Sequence, residues 1–245
     1  TGSTPSIDYL KVKGSGVTEK DGKYYIGKDA KEVTIETHIK TTTKDLDTVE
    51  FSFNPSISGF PIKFDYHNHS QWTDFDGHNL KIKGMRCDSY TSKGTPYAKD
   101  TFYYDWEIPK DVKDGEYKLK VTAKTVKGEN SSKGITVIID LTPPKVKETK
   151  PVDDPEGKIE VPIDTEIEIT LEDPKKNDYA SGIDLKSLKP EVCKIYPKIN
   201  GTWKVKGEGF IFIPNELLKE DTIYKVTIPK EAAKDKAGNE LESHI

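Results

Sequence analysis

The stretch Tyr117–Ala123, YKLKVTA, sets Tyr117, Leu119, Val121 and Ala123 on one side of an extended chain and Lys118, Lys120 and Thr122 on the other. Apolar residues at period 2 share a face in a strand and scatter around a helix, so this pattern excludes a helix here. The alternation returns in Val33–Thr37, VTIET, and in Val49–Phe53, VEFSF, while Ile135–Ile139, ITVII, suits a more fully buried strand. Turn signals stand between these runs: Lys20-Asp21-Gly22, Asn54-Pro55, Lys113-Asp114-Gly115-Glu116 and Lys127-Gly128-Glu129-Asn130. Short strands at intervals of roughly 8–12 residues predict an all-β sandwich.

Length then limits the number of sandwiches. The chain has 245 residues, and one sandwich takes about 100, so two fit and three do not. After Asp140 the sequence Leu141-Thr142-Pro143-Pro144 removes two backbone donors and ends the preceding strand. Strand patterning restarts beyond it, with IEITL at Ile167–Leu171, FIFI at Phe210–Ile213 and IYKVTI at Ile223–Ile228. Lys194–Ile199 and Thr202–Val205 flank Asn200-Gly201, a two-residue hairpin signal. The predicted domains are 1–143 and 144–245, joined by a short, semi-rigid double-proline link. Asn215–Leu218 and Lys230–Ala233 each read as a single turn of helix, too short to stand alone.

Only 33% of the residues are apolar and 33% are charged, which suits thin cores under wet outer sheet faces. The net charge is −4 with both signs interspersed. No basic face is available for a phosphate backbone, and nucleic acid is not an expected partner. No apolar run approaches the 18 or so residues of a membrane span. The opening Thr-Gly-Ser-Thr-Pro-Ser reads as linker, and an excerpt of a longer protein is expected. Cys87 and Cys193 fall in different predicted domains. A disulfide within either domain is therefore impossible, and both read as buried apolar residues or free thiols, with an interdomain bridge as the alternative.

Three stretches of the second half carry a family resemblance. They are Thr165–Leu171 followed by Ser181-Gly182-Ile183-Asp184-Leu185, then Phe210–Tyr224, then Ile228–Leu241 with its Asp235-Lys236-Ala237-Gly238-Asn239 turn. In order and spacing they resemble the bacterial Ig-like repeats of surface-layer proteins, adhesins and multidomain extracellular hydrolases. The first half resembles the same superfamily more loosely, through Trp106–Pro109, Asp114–Leu119 and the Asp140–Pro144 tail. Residues 38–105 depart from it. The resemblance implies two tandem immunoglobulin-like β-sandwiches, at the cell surface or secreted, that space or present other domains.

Chemistry-bearing residues crowd into Phe64–Asn79, FDYHNHSQWTDFDGHN. His67 and His69 share a face at strand spacing, and with Asp74, Asp76 and His78 they are candidate metal ligands. Asp74-Phe75-Asp76-Gly77 also resembles the start of a calcium loop, but the twelfth position from Asp74 is Met85, which excludes an EF-hand. The competing readings are a solvated polar loop and an Asp-Gly turn. Tyr66, Trp72 and Tyr103 are the candidate glycan platform, because rigid amphipathic rings suit sugar stacking. In Phe102–Trp106 the alternation sends Phe102, Tyr104 and Trp106 to the core and Tyr103 outward.

Gly-x-Ser-x-Gly, the P-loop and HExxH do not occur in the sequence. The expectation is a non-catalytic spacer or adhesion module without a dedicated cofactor, calcium being the one ion considered. The alternative is a carbohydrate-binding module beside an extracellular hydrolase. Expected partners are other domains of the same surface protein, and a glycan or a cell-surface protein.

Overall fold

The computed structural model describes residues 4–40, 46–65, 84–87 and 99–245. The chain divides into two compact units, Thr1–Ile139 and Asp140–Ile245. Asp140–Pro143, assigned to the first domain on sequence, thus group with the second. Both units are all-β. None of the described helices is long and apolar enough to cross a membrane.

The first unit has ten strands among its described residues: β1 Ser6–Lys13, β2 Val17–Lys20, β3 Lys23–Ile26, β4 Glu32–Lys40, β5 Leu46–Asn54, β6 Ile62–Asp65, β7 Met85–Cys87, β8 Lys99–Glu107, β9 Gly115–Thr125 and β10 Asn130–Ile139. They form a four-stranded sheet, β1-β4-β8-β7, and a six-stranded sheet, β2-β3-β10-β9-β5-β6. The pairing is antiparallel except between β3 and β10, which run parallel. Alternation decides what faces the core. On β9, Tyr117, Leu119, Val121 and Ala123 are buried while Lys118, Lys120 and Lys124 are exposed. On β4, Val33, Ile35, Thr37 and Ile39 point inward. The Asp21-Gly22 turn joins β2 to β3 with both residues at positive φ, 51° and 74°, the conformation a two-residue hairpin favours.

Aromatic packing anchors this core. Trp106 is 2% exposed, with its ring 5.2 Å from that of Phe53 and 5.4 Å from that of Phe60. Phe102 is fully buried and meets Phe64 edge-on at 4.9 Å. Tyr117 is also buried, and its hydroxyl donates to the Lys113 carbonyl at 2.6 Å, so the ring is buried without stranding its polar end. Burial, and then the Asp114 charge, push this hydroxyl's pKa up.

The second unit contains β11 Lys145–Lys150, β12 Ile167–Glu172, β13 Lys194–Tyr196, β14 Gly201–Val205, β15 Gly209–Pro214 and β16 Lys225–Thr227. One sheet has the order β11-β12-β15-β14 and the other pairs β13 with β16. Ile167, Ile169, Leu171, Phe210, Phe212, Ile228 and Leu241 fill the space between them. Gly209 is required by close approach, because a Cβ there would lie 1.9 Å from the Ile169 carbonyl oxygen. Cys193 joins this core as a free thiol. Burial, and secondarily the Glu191 charge, push its pKa up to about 12.

Two sequence expectations fail here. Asn200-Gly201 does not turn a hairpin between its flanking strands: β13 pairs with β16, and β14 pairs with β15. The segment between β13 and β14 contains Pro197, which has no N–H for a ladder, and it crosses from one sheet to the other with Ile199 buried on the way. Asn215–Leu218 is not helical. Instead Asn215 N–H donates to Asn200 and Leu218 N–H to Ile163, so long-range partners take the donors a helical turn would use. Lys230–Ala232 does form a single 3₁₀ turn.

Replacing Trp106 with alanine should destabilise the first unit by about 3–5 kcal/mol, measured by urea unfolding of the full chain. A loss below about 1 kcal/mol would contradict its role as the packing anchor.

Candidate functional site

Most of the residues singled out on sequence, Tyr66, His67, His69, Trp72, Asp74, Asp76 and His78, lie outside the described residues. Tyr103 is on β8, facing away from the core and half-buried. Arg86 lies over its ring at 4.6 Å and Lys13 Nζ at 5.5 Å. Arg86 also grips Asp105 through two bonds of 2.9 Å, and Thr34 donates to the same carboxylate at 2.8 Å. Tyr103 therefore belongs to an ionic lattice on the outer face of the four-stranded sheet, where cations already occupy the ring face that sugar stacking would use. The lattice continues to Glu36, only 4% exposed, which accepts from Tyr9 and Lys13. Burial alone would raise the Glu36 pKa, but hydrogen bonds from Lys13, Tyr9 and Lys11 hold it below the usual carboxylate range.

The most unusual electrostatics lie in the second unit. Asp140 leads the segment that enters it, Asp173 follows β12, and Asp235 opens the turn that closes the sandwich. The three carboxylates offer oxygens that all lie within 4.8 Å of one another. Asp140 and Asp235 are 0% and 1% exposed.

The donors to the three carboxylates come from three places, Thr142, Ser181-Gly182 and Asn239. Asp140 accepts from the Thr142 N–H at 3.0 Å, and from Ser181 through its N–H at 2.9 Å and its hydroxyl at 2.5 Å. Asp235 accepts from the Asn239 N–H at 2.9 Å and from the Asn239 side-chain amide at 2.8 Å. That amide also donates to the Asp140 carbonyl at 2.7 Å, so Asn239 braces the closing turn against the entering segment. Lys236 N–H donates to the Gly182 carbonyl, and Gly182 holds φ +91°, which a residue with a side chain adopts only under strain.

Asp173 is served least well. Its Oδ2 accepts from the Gly182 N–H at 2.8 Å and lies 3.3 Å from the Ser181 hydroxyl. A hydroxyl has one proton, and the shorter contact directs it to Asp140. Oδ1 is buried with no hydrogen-bond partner among the described residues. Desolvation, and then the Asp140 charge, push the Asp173 pKa up to about 7. Desolvation raises Asp235 as well, to about 8; the Asn239 bonds oppose the rise and the Asp140 and Asp173 charges add to it. The alkyl and ammonium end of Lys236 passes close to Gly182.

Sequence reading passed over this cluster because its members stand 33 and 62 residues apart among many other carboxylates. The available signal was that Asp140, Ser181-Gly182 and Asp235–Asn239 all lay in the segments that carried the family resemblance.

Residues 140–245 match the sequence profile described as a bacterial Ig-like domain. The second unit is therefore Ig-like by sequence as well as by its β-sandwich. A comparison with curated proteins gave no significant match. Among solved structures, the chain is similar to latent PorU from Porphyromonas gingivalis at 8% identity and TM-score 0.32, over 69% of this chain and 13% of that one. It is similar to the Sidekick-1 immunoglobulin domains 1–4 at 12% and 0.35, over 98% and 49%. It is also similar to the SGBP-B protein of a Bacteroides ovatus mixed-linkage glucan utilization locus, in complex with a heptasaccharide, at 15% and 0.27, over 98% and 46%. The chain spans less than half the length of each of these three.

The raised carboxylates fix a pH dependence. Their unfolded value is 3.8, so between about pH 4 and 8 the folded state binds more protons than the unfolded one, and stability falls as pH rises. The Asp140 charge acts on both carboxylates, and the Asp173 charge acts on Asp235 as well. In the full chain, the unfolding transition of the second unit should move to lower temperature between pH 5 and pH 8. A midpoint that rises across this range in scanning calorimetry would contradict the assignment.

Proposed function

We propose that the chain is a non-catalytic structural module of a larger bacterial cell-surface or secreted protein, acting as a spacer or adhesion unit. The observation that carries this reading is the match of residues 140–245 to a bacterial Ig-like domain. The two most perturbed carboxylates support it further. Raised pKa values often mark a catalytic site, but here Asp235 and Asp173 are spent on the Asn239 and Gly182 amides that hold loops together. On this reading the function lies in how the sandwiches present their surfaces and loops, since fold alone specifies no chemistry.

The alternative of a carbohydrate-binding module draws on the aromatic side chains of the first unit. The cations over Tyr103 weigh against it, because a sugar would have to displace Lys13 and Arg86 from the ring.

Antibody raised against the full chain should label intact cells of the producing bacterium, and brief protease treatment of those cells should remove the epitope. Labelling only after cell lysis would overturn the surface assignment. Turnover on chromogenic glycoside, peptide or ester substrates that one point substitution abolishes would overturn the non-catalytic one.

A further inference from the structure

We propose that the outer edge of β14 is a self-association surface, to which β14 of a second copy of this chain adds as an antiparallel strand about a two-fold axis at Trp203. This goes beyond the role as a module and does not depend on it.

The phase of the ladder shows which groups the edge offers. β14 ends its sheet and pairs with β15. Asn215 N–H donates to the Asn200 carbonyl, and Lys206 N–H to the Gly209 carbonyl. Hydrogen-bonded pairs alternate along an antiparallel ladder. Thr202 and Lys204 therefore spend their backbone groups on β15, while Gly201, Trp203 and Val205 direct theirs away from it. No backbone bond from outside the sheet reaches these three among the described residues. The turn at Pro190–Val192 comes near β14, but the amides of Val192 and Cys193 close on Lys189 and Pro190. Gly201, Thr202, Lys204 and Val205 are all exposed, Val205 at 49%.

Such a row of unpaired N–H and C=O groups recognises an extended backbone, and sheet edges are commonly blunted against it. The opposite edge of the same sheet is blunted. β11 has a register shift between Val146 and Glu148, carries Lys145, Lys147 and Lys150, and lies between Pro144 and Pro151. β14 pairs through five successive residues with no shift, and it contains one lysine and no proline.

The residues of β14 favour a second copy as the added strand. A two-fold axis at Trp203 sets Trp203 opposite its counterpart, Gly201 opposite Val205 and Thr202 opposite Lys204. All the outward backbone groups then fall in hydrogen-bonded pairs, each exchanging two bonds. Val205 meets a residue without a side chain, and no lysine stands directly opposite a lysine, which would be unfavourable. One step beyond, Lys206 comes opposite Asn200, whose N–H lies 3.2 Å from Glu216 Oε1. Opposite charges thus meet at both ends of the paired strands. The arrangement is isologous and closes at two copies. A strand this short buries little area, so the dimer belongs to the weak, transient class.

The test is sedimentation equilibrium of the full chain at concentrations up to about 1 mM, where weak interfaces become populated, alongside Thr202→Lys and Thr202→Glu. Thr202 is exposed, so both variants keep the core intact, and urea unfolding of each verifies this. The expected result is a reversible monomer–dimer equilibrium. Thr202→Lys places like charges opposite each other twice and should weaken the dimer at least about threefold, while Thr202→Glu places a carboxylate before each Lys204 and should strengthen it by a similar factor. In the wild-type chain, amide exchange should slow with concentration at Gly201, Trp203 and Val205 and stay unchanged at Thr202 and Lys204. A chain that remains monomeric throughout would overturn the proposal. So would a dimer that the two substitutions shift in the same direction or not at all, or one whose formation leaves Trp203 exchange unchanged.

Discussion

The second sandwich depends on one side-chain amide. Asn239, 1% exposed, reaches from the closing turn to the Asp140 carbonyl and to the Asp235 carboxylate. These contacts bring together residues 99 and 4 positions apart in sequence. A β-sandwich of this kind has few helices to clamp its ends, so its loops must be closed by hydrogen bonds between side chains and backbone. Asp140, Ser181, Gly182, Asp235 and Asn239 provide that closure within a single cluster. The cluster concentrates negative charge where there is little water, and this is the physical reason that two of its carboxylates titrate far from their ordinary value.

The first sandwich solves the same problem differently. Its buried face is aromatic and aliphatic, centred on Trp106, Phe53 and Phe102. Its four-stranded sheet carries an outer lattice of Arg86, Asp105, Glu36, Lys13 and Tyr103. Exposed ion pairs of this type contribute little individually. Glu36 differs because it is buried under Tyr9 and two lysines, so loss of its partners would leave an unpaired charge.

Period-2 alternation made the strands legible: Tyr117–Ala123, Val33–Thr37, Val49–Phe53 and Ile167–Leu171 all lie within strands, with the anticipated faces buried. Sidedness in Phe102–Trp106 was equally readable, with Trp106 inward and Tyr103 outward. The Asn200-Gly201 signal misled because a turn propensity is local, whereas β14 is held by its ladder to β15. Asn215–Leu218 misled similarly, its donors being claimed by Asn200 and Ile163. The carboxylate cluster was hinted at only by the family resemblance of the segments that hold Asp140, Ser181-Gly182 and Asp235–Asn239. Its three members are ordinary surface-type residues in sequence, and only the fold makes them neighbours. For Cys193 the sequence excluded a disulfide within its own unit, which holds no second cysteine, and its burial came from the fold.

The brace from Asn239 is the element on which closure of the second unit turns, and a single substitution isolates it. Asn239→Ala removes the donor to the Asp140 carbonyl and to Asp235 Oδ2 and leaves both acceptors buried. Equilibrium urea unfolding of the full chain should show the second unit's transition weakened by about 1–3 kcal/mol, with the first unit's transition unmoved. A change within about 0.5 kcal/mol, the range of ordinary surface substitutions, would contradict the claim that this cluster closes the sandwich.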